Sequence, residues 1–268
     1  MSKNLGVGEF LCTRCNQSYC WRNSKGNAYL CAACKATFPM PDGIIDFIPE
    51  WDEPASMTQR AIEWAPLVSL YESRLWRRNP LFEWLTQLSM EEEADAVLSA
   101  ASLKGNEKVL DLACGTGNYS RLFAGHLPQG RVYGVDFSKA MLNYAHSKTQ
   151  RLGVKGVQFI RANVLELPFA DESIDVVNCC GALHLFPELD TALAEIQRVL
   201  KPGGRFTTAV FRQEKGALSR WFEFLSEHFL GISSFSLQGL TGQLHNVGLN
   251  HNEAFHDKGH WLVLRSEK

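Results

Sequence analysis

The sequence predicts an α/β protein: a doubly wound parallel sheet with a small cysteine-bearing unit ahead of it. Three observations carry that expectation. Strand-like and helix-like segments alternate from Lys108 to Phe211, the pattern of a parallel sheet with helices on both faces. A short turn, Gly115-Thr116-Gly117, joins the first of these strands to the first helix. Further upstream, Cys12, Cys15, Cys31 and Cys34 form two Cys-x-x-Cys pairs. A chain of 268 residues holds one such domain and an appendage.

Composition sets the outer limits. A chain that is 45% hydrophobic and 21% charged is neither disordered nor collagen-like. No apolar run reaches the roughly 18–20 residues of a membrane span. The opening MSKNLGVGEF has neither the basic start nor the apolar stretch of a secretory signal, so a cytoplasmic location is expected. Lys and Arg number 27 against 29 Asp and Glu, a formal charge of −2. That balance argues against broad electrostatic binding of nucleic acid.

The first unit is read from its cysteines. Cys12, Cys15, Cys20, Cys31 and Cys34 lie at the N-terminal end, whereas Cys114, Cys179 and Cys180 lie in apolar contexts far downstream. Without an export signal, a disulfide framework is the weaker explanation. Two Cys-x-x-Cys pairs separated by fifteen residues match a four-thiolate zinc site. Two residues between thiols let one tight turn present both sulfurs to a tetrahedral ion about 2.3 Å away. Four sulfurs leave no position for water, so one structural zinc on Cys12, Cys15, Cys31 and Cys34 is expected. Cys20 receives no role. PMPDGIIDFIPE reads as turn, short strand, turn, so the ribbon is set at residues 1–50. Such a ribbon lacks a core large enough to fold alone, and removing zinc is expected to unfold residues 10–40.

Residues 51–104 read as an acidic helical linker or cap, with nine acids and five bases. Ile62, Trp64, Leu67, Leu70, Tyr71 and Leu75 recur at near-helical spacing. Pro66 marks a helix start, and Pro80 ends or offsets the next helix. Ser89 followed by Met-Glu-Glu-Glu is an N-cap with acids facing the positive helix end. Ala94, Val97, Leu98 and Ala101 give that helix its buried stripe, and Gly105 is expected to stop it.

Residues 105–268 hold the main domain. KVLDL is a buried strand, the glycine turn follows, and Leu122 and Phe123 lie on the next helix. RVYGVD is a second strand ending in Asp136, and Phe137-Ser138 starts a helix through Met141, Leu142 and Ala145. VQFIRANV and SIDVVNCC are the third and fourth strands. LDTALAEIQRVLK is an amphipathic helix ended by Pro202-Gly203-Gly204, before a fifth strand, RFTTAVF. Residues 216–247 suggest two helices, and 250–266 suggest closing antiparallel strands. Ligands in such sheets bind beyond the strand C-termini, where the strand order reverses.

The flanks of the glycine turn narrow the ligand. A dinucleotide fingerprint wants a third glycine where Ser120 stands, and no Lys-Ser/Thr pair makes a phosphate loop. Instead Asp111 precedes the turn, and Asp136 ends the next strand, well placed to accept from both ribose hydroxyls. With phosphate devices missing, the favoured ligand has adenosine, no pyrophosphate, and a cationic amino-acid tail. S-adenosylmethionine has these features.

DLACGTGNYS, GVDFS, RANVLELPFADESIDVV and RVLKPGGRF, spanning residues 108–211, resemble the seven-stranded class I methyltransferases, whose fold is Rossmann-like. They are most similar to the branch containing quinone-biosynthesis C-methyltransferases. With the ribbon and PLVSLYESRLWRRN added, the layout resembles the uncharacterised zinc-ribbon methyltransferases of cyanobacteria and plastids. It is also similar to ribosomal RNA guanine methyltransferases with an N-terminal zinc finger. The resemblance implies that Asp111, Ala113, Gly115 and Gly117 line the methionine half of the cofactor, the glycines because any Cβ would strike it. It implies Asp136 on the ribose, Phe137 on the adenine, and Asn163 with Val164 at the adenine edge. The family more often has Asp where Asn163 stands; an amide still accepts a hydrogen bond but carries no charge. Cys180 and Gly181 would close the floor near the sulfonium. Tyr71 resembles the tyrosine that caps the cofactor, with simple packing as its alternative.

Methyl transfer gains much from holding the acceptor about 3–3.5 Å from the methyl group. A base is needed only where the acceptor must lose a proton, and His184, just past the fourth strand, is the candidate. Its alternative is a helix-start histidine bonded to backbone. His228, His245, His251, His256 and His260 show no metal spacing. Phe222, Phe224, Phe229 and Phe235 read either as walls of an apolar acceptor site or as core. The expected function is methyl transfer from S-adenosylmethionine, leaving S-adenosylhomocysteine, to a small apolar or aromatic acceptor. Two alternatives stay open: a ribosomal or transfer RNA methyltransferase gripping RNA with its ribbon, and a silent or repurposed methyltransferase-like protein. Five bases against four acids in residues 1–50, with zinc-bound thiolates adding negative charge, make a poor RNA clamp.

Overall fold

The computed structural model describes residues 10–50, 86–186, 188–213 and 233–268. Tyr71, Pro66, Pro80, His228, Phe222, Phe224 and Phe229 lie outside these residues. The described chain opens on a four-stranded antiparallel sheet of β1 (Phe10–Leu11), β2 (Tyr19–Arg22), β3 (Ala28–Cys31) and β4 (Thr37–Pro39), in that order. A single turn, Pro41–Gly43, leads into β5 (Ile45–Asp46).

Helix α1 (Met90–Ala101) begins on a reciprocal cap: the Ser89 hydroxyl accepts from Glu92 N–H, and the Glu92 carboxylate accepts from Ser89 N–H. It ends on Ser102 in the left-handed conformation (φ 45), three residues before the expected stop at Gly105. The main domain then alternates β6 (Lys108–Leu112), α2 (Asn118–Gly125), β7 (Arg131–Asp136), α3 (Lys139–Arg151), β8 (Val157–Arg161), β9 (Ile174–Cys180), α4 (Leu189–Val199) and β10 (Leu200–Phe211). It closes with α5 (Leu237–Asn246), β11 (Asn250–Lys258) and β12 (Trp261–Glu267). Pro202-Gly203-Gly204 does not end α4. That helix stops at Val199, and the Pro-Gly-Gly bulge falls inside β10, where the register against β9 slips between Leu200 and Arg205.

Among the described residues the large sheet has eight strands, in the order β11-β12-β10-β9-β6-β7-β8-β5. The expectation of seven is corrected by the eighth, β5, which pairs in parallel with β8 (Ile45 with Ile160, Asp46 with Arg161). Two hydrogen-bonded residues preceded by a turn leave almost no periodicity from which to assign a sheet partner. Strands β5 to β10 are parallel, and β12 is antiparallel to both β10 and β11, as expected for the closing segment. Strand order reverses between β6 and β9, and this places the site.

The core does not stop at the ribbon. Phe10 is fully buried and meets Tyr29, Phe47, Tyr133 and Phe169 edge to face, with centroids 5.3–5.9 Å apart. Phe38 packs on Phe47 at 4.7 Å. These side chains and the buried strands β6 to β10 form one hydrophobic cluster.

Candidate functional site

A pocket opens at the carboxyl end of β6, lined by Asp111, Ala113, Cys114, Gly115, Thr116, Asn118, Tyr119 and Cys180. It lies on the side toward β9, at the reversal point. Asp111 is buried, and both its oxygens are held. Oδ2 accepts from Ser120 Oγ at 2.5 Å, and Oδ1 accepts from Asn178 Nδ2 at 2.8 Å. Asn178 Oδ1 in turn accepts from Thr207 Oγ1 at 2.9 Å and from the Cys180 thiol at 3.2 Å. Burial pushes the Asp111 carboxyl up to about 6 against the pull of Ser120 and Asn178.

The two glycines are small for different reasons. Gly115 is left-handed (φ 53), and a Cβ there meets no atom within 4 Å, so it would project into open space at the pocket that Gly115 lines. Gly117 is also left-handed (φ 75), but a Cβ there would lie 3.1 Å from Ala145, Arg121 and Phe159. A side chain at Gly117 is thus excluded by protein atoms. Gly117 is also the N-cap of α2, without a side-chain bond to the helix. Ala113 shares the left-handed conformation (φ 51) in the same turn.

Asp136 reaches across the loop. Its Oδ2 accepts from Gly115 N–H at 2.7 Å, and its Oδ1 from Ser138 N–H at 2.8 Å. One carboxylate thus ties the glycine turn to the start of α3, and each oxygen keeps acceptor capacity for a ribose. The Phe137 ring lies 5.8 Å from the Arg161 guanidinium, which also donates to the Phe137 carbonyl at 3.1 Å. Asn163 spends its side-chain oxygen on Leu165 N–H at 3.0 Å, and Val164 packs on the main core. Asp111, Ala113, Gly115 and Cys180 share the pocket, while Gly117, Asp136, Phe137, Asn163 and Val164 are not among its lining residues.

His184 sits in a short turn, Leu183–Leu185, after β9. Its ring packs edge to face on Phe211 at 5.2 Å, and Phe211 packs on Trp261 at 5.0 Å. Its buried Nδ1 has no hydrogen-bond partner among the described residues. Burial pulls its pKa down to about 4, so it is neutral at pH 7 and a weaker base than an ordinary histidine.

The four ribbon thiols converge. The Sγ atoms of Cys12, Cys15, Cys31 and Cys34 all lie within 4.8 Å of one another, with Cys12 to Cys34 at 3.6 Å and Cys15 to Cys31 at 3.7 Å. A tetrahedron with zinc–sulfur bonds of about 2.3 Å has edges of about 3.8 Å, far longer than a disulfide. The donor set and its size fit one zinc ion. Burial opposes ionisation of Cys31, but N–H groups of Cys34 and Ala33 bring its thiol down to about 6. Cys20, opposite Cys31 in the β2–β3 pairing, is fully buried, and burial raises its thiol to about 12.

Sequence reasoning missed Ser120, Asn178, Tyr119 and Arg161. In the sequence, Ser120 reads only as a departure from the glycine pattern. Asn178 and Arg161 carried a signal, being polar residues inside otherwise apolar strands.

This strand order, with a glycine-loop pocket at its reversal point, defines a Rossmann-like methyltransferase domain. Residues 103–245 match the methyltransferase-domain family, and the chain belongs to it: a class I, S-adenosylmethionine-dependent methyltransferase by family. It is 29% identical over 228 residues to an uncharacterised chloroplastic methyltransferase of Arabidopsis thaliana, covering 78% of this chain and 63% of that protein. It is 38% identical over 109 residues to the demethylmenaquinone methyltransferase of Geobacillus stearothermophilus, covering 40% of this chain and 47% of that one. The chain thus spans between about half and two thirds of these relatives' lengths. Among solved structures, it resembles a chain from a complex of the Trm112 methyltransferase activator with a methyltransferase of Haloferax volcanii. The TM-score is 0.61 at 21% identity, over 80% of this chain and 99% of that one, a likeness of fold. No described helix is long and apolar enough to cross a membrane.

Proposed function

We propose that the chain methylates a small apolar or aromatic acceptor, with a quinone-like ring as the leading class. The observation that carries the methyl-transfer part of this reading is the pocket at the β6–β9 reversal, where Gly115 leaves space that no protein atom fills. When bound, S-adenosylmethionine supplies an electrophilic methyl group for in-line displacement. Asp111, Ala113, Gly115 and Gly117 shape the methionine end through backbone and buried carboxylate. Asp136 receives the ribose hydroxyls, Phe137 lies on the adenine, and Asn163 and Val164 border it. Cys180 floors the sulfonium side. Tyr71 caps the site, and His184, neutral at pH 7, takes a proton where the acceptor must lose one. Cys12, Cys15, Cys31 and Cys34 hold one structural zinc. A cytoplasmic location belongs to the same reading.

The quinone-like class is supported by the demethylmenaquinone methyltransferases among the relatives. A small acceptor over RNA is supported by the formal charge of −2. The test is to incubate the protein with methyl-labelled cofactor and cell extract split into RNA and lipid or metabolite fractions. Label in the lipid or metabolite fraction is expected; label in the RNA would reject the proposal.

A further inference from the structure

One wall of the pocket is held by a carboxylate from outside the main domain's motifs. Tyr119, at the start of α2, lines the pocket beside Asp111 and Cys180. Its hydroxyl donates to Glu93 Oε1 at 2.5 Å. Glu93 lies in the first turn of α1 and is only 4% exposed. A buried glutamate is rarely found without a partner that needs it. Here it grips a side chain of the site from a different helix.

The direction of that bond matters. A phenol that gives its proton to a carboxylate can only receive hydrogen bonds through its remaining oxygen lone pairs. The carboxylate also makes the phenol oxygen more negative, through a short, charge-assisted bond. Tyr119 is thereby fixed as an acceptor for a cationic group. Asp111, the acid that lines the pocket, accepts one hydrogen bond on each oxygen, from Ser120 and Asn178, so it shares this wall with Tyr119 as a second acceptor. The ribose-directed acid, Asp136, is not among the pocket's lining residues. On the reading above, which sets Asp111, Ala113 and Gly115 at the methionine end, the cation this wall would meet is the cofactor's amino-acid end.

Building on the cofactor reading above, we propose that Tyr119, polarised by Glu93, receives the α-ammonium group of S-adenosylmethionine and selects for ligands that carry it. Glu93 is a positioning residue, acting through Tyr119. The pair makes α1, a helix outside the glycine-loop motif, part of the cofactor site.

The test uses the full-length, metal-loaded protein and two probes. S-adenosylhomocysteine has the ammonium group, and 5′-methylthioadenosine lacks the amino-acid tail. Calorimetric titration compares wild type, Tyr119→Phe, Glu93→Gln and the double variant. Each single variant is expected to weaken S-adenosylhomocysteine about five- to tenfold, the scale of one charge-assisted hydrogen bond. Binding of 5′-methylthioadenosine should stay within twofold, and the double variant should be no weaker than the worse single one. Equal losses for both probes, or no loss for S-adenosylhomocysteine, would overturn the proposal, because a general disturbance of the site weakens both ligands alike. Tyr119→Phe removes one oxygen and leaves the ring in place, so it decides the matter even where Glu93→Gln disturbs folding. Wild type binding neither probe would instead overturn the cofactor reading itself, and this inference with it.

Discussion

Arg161 and Asp46 form a buried ion pair at 3.2 Å, each 6% exposed, between the last residue of β8 and the last residue of β5. Arg161 also donates to the Ile48 and Phe137 carbonyls. One guanidinium therefore clamps the end of the N-terminal unit to the loop proposed to carry adenine. Removing one partner of such a pair leaves a buried charge, which costs about 3–5 kcal/mol. Asp46→Ala should lower stability by that amount in chemical denaturation. A loss below about 1 kcal/mol would show that water reaches the pair.

Zinc removal should act on more than the ribbon. Phe10, Tyr29 and Phe38 are buried in the same cluster as Tyr133 and Phe169. Chelation is therefore expected to lower the melting midpoint of the whole chain, not merely to melt residues 10–40. Elemental analysis should find one zinc per chain after purification without chelator. Cys34→Ser should bind zinc more weakly and melt earlier. A metal-free protein with an unchanged midpoint would refute a structural metal.

The two glycines of the loop should respond differently to alanine. Gly117→Ala brings a Cβ to 3.1 Å from three side chains at a left-handed position, so it should destabilise the fold by about 2–3 kcal/mol. Gly115→Ala meets nothing within 4 Å, and should cost about 1 kcal/mol of stability from its left-handed φ. Its larger effect should be on S-adenosylhomocysteine binding. Thermal melting and calorimetric titration of the two variants separate these effects.

Asp111 should leave a signature in the pH dependence of stability. Its folded pKa, about 6, stands above the ordinary 3.8, so the native state binds this proton more tightly than the unfolded chain does. The stabilising contribution is complete below about pH 3.8 and is lost as pH rises through about 6. Asp111→Asn should therefore gain on wild type between pH 4 and pH 7, by about 3 kcal/mol at most. A stability difference flat across that range would contradict a raised pKa.

If His184 is the base, turnover should not fall as pH drops from 7.5 to 5.5 on its account, since burial holds it neutral down to about 4. His184→Ala should keep cofactor affinity within twofold and lose turnover at least tenfold. Full turnover in that variant would remove it as base.

Much of this was readable from residues alone. Alternation of apolar runs with helical periodicity placed β6 to β9 and α2 to α4, because each element buries one face over several turns or pleats. The Ser89 cap and the cysteine spacing were equally legible, being local chemistry. Less visible was whatever depends on distant partners. Gly117 reads like Gly115, yet only the fold sets Ala145 and Phe159 against it. Ser120 reads as a departure from a glycine pattern, yet it holds Asp111. Glu93 reads as one of three first-turn acids, and only the crossing of α1 with α2 singles it out.

The eighth strand alters what a shortened protein would be. Deleting residues 1–50 would not release a bare catalytic domain. It would unpair Ile160 and Arg161 and leave an open sheet edge beside the Phe137 loop. Such an edge is a template for joining another chain. The N-terminal unit thus supplies the outermost strand of the sheet, at the end farthest from β11.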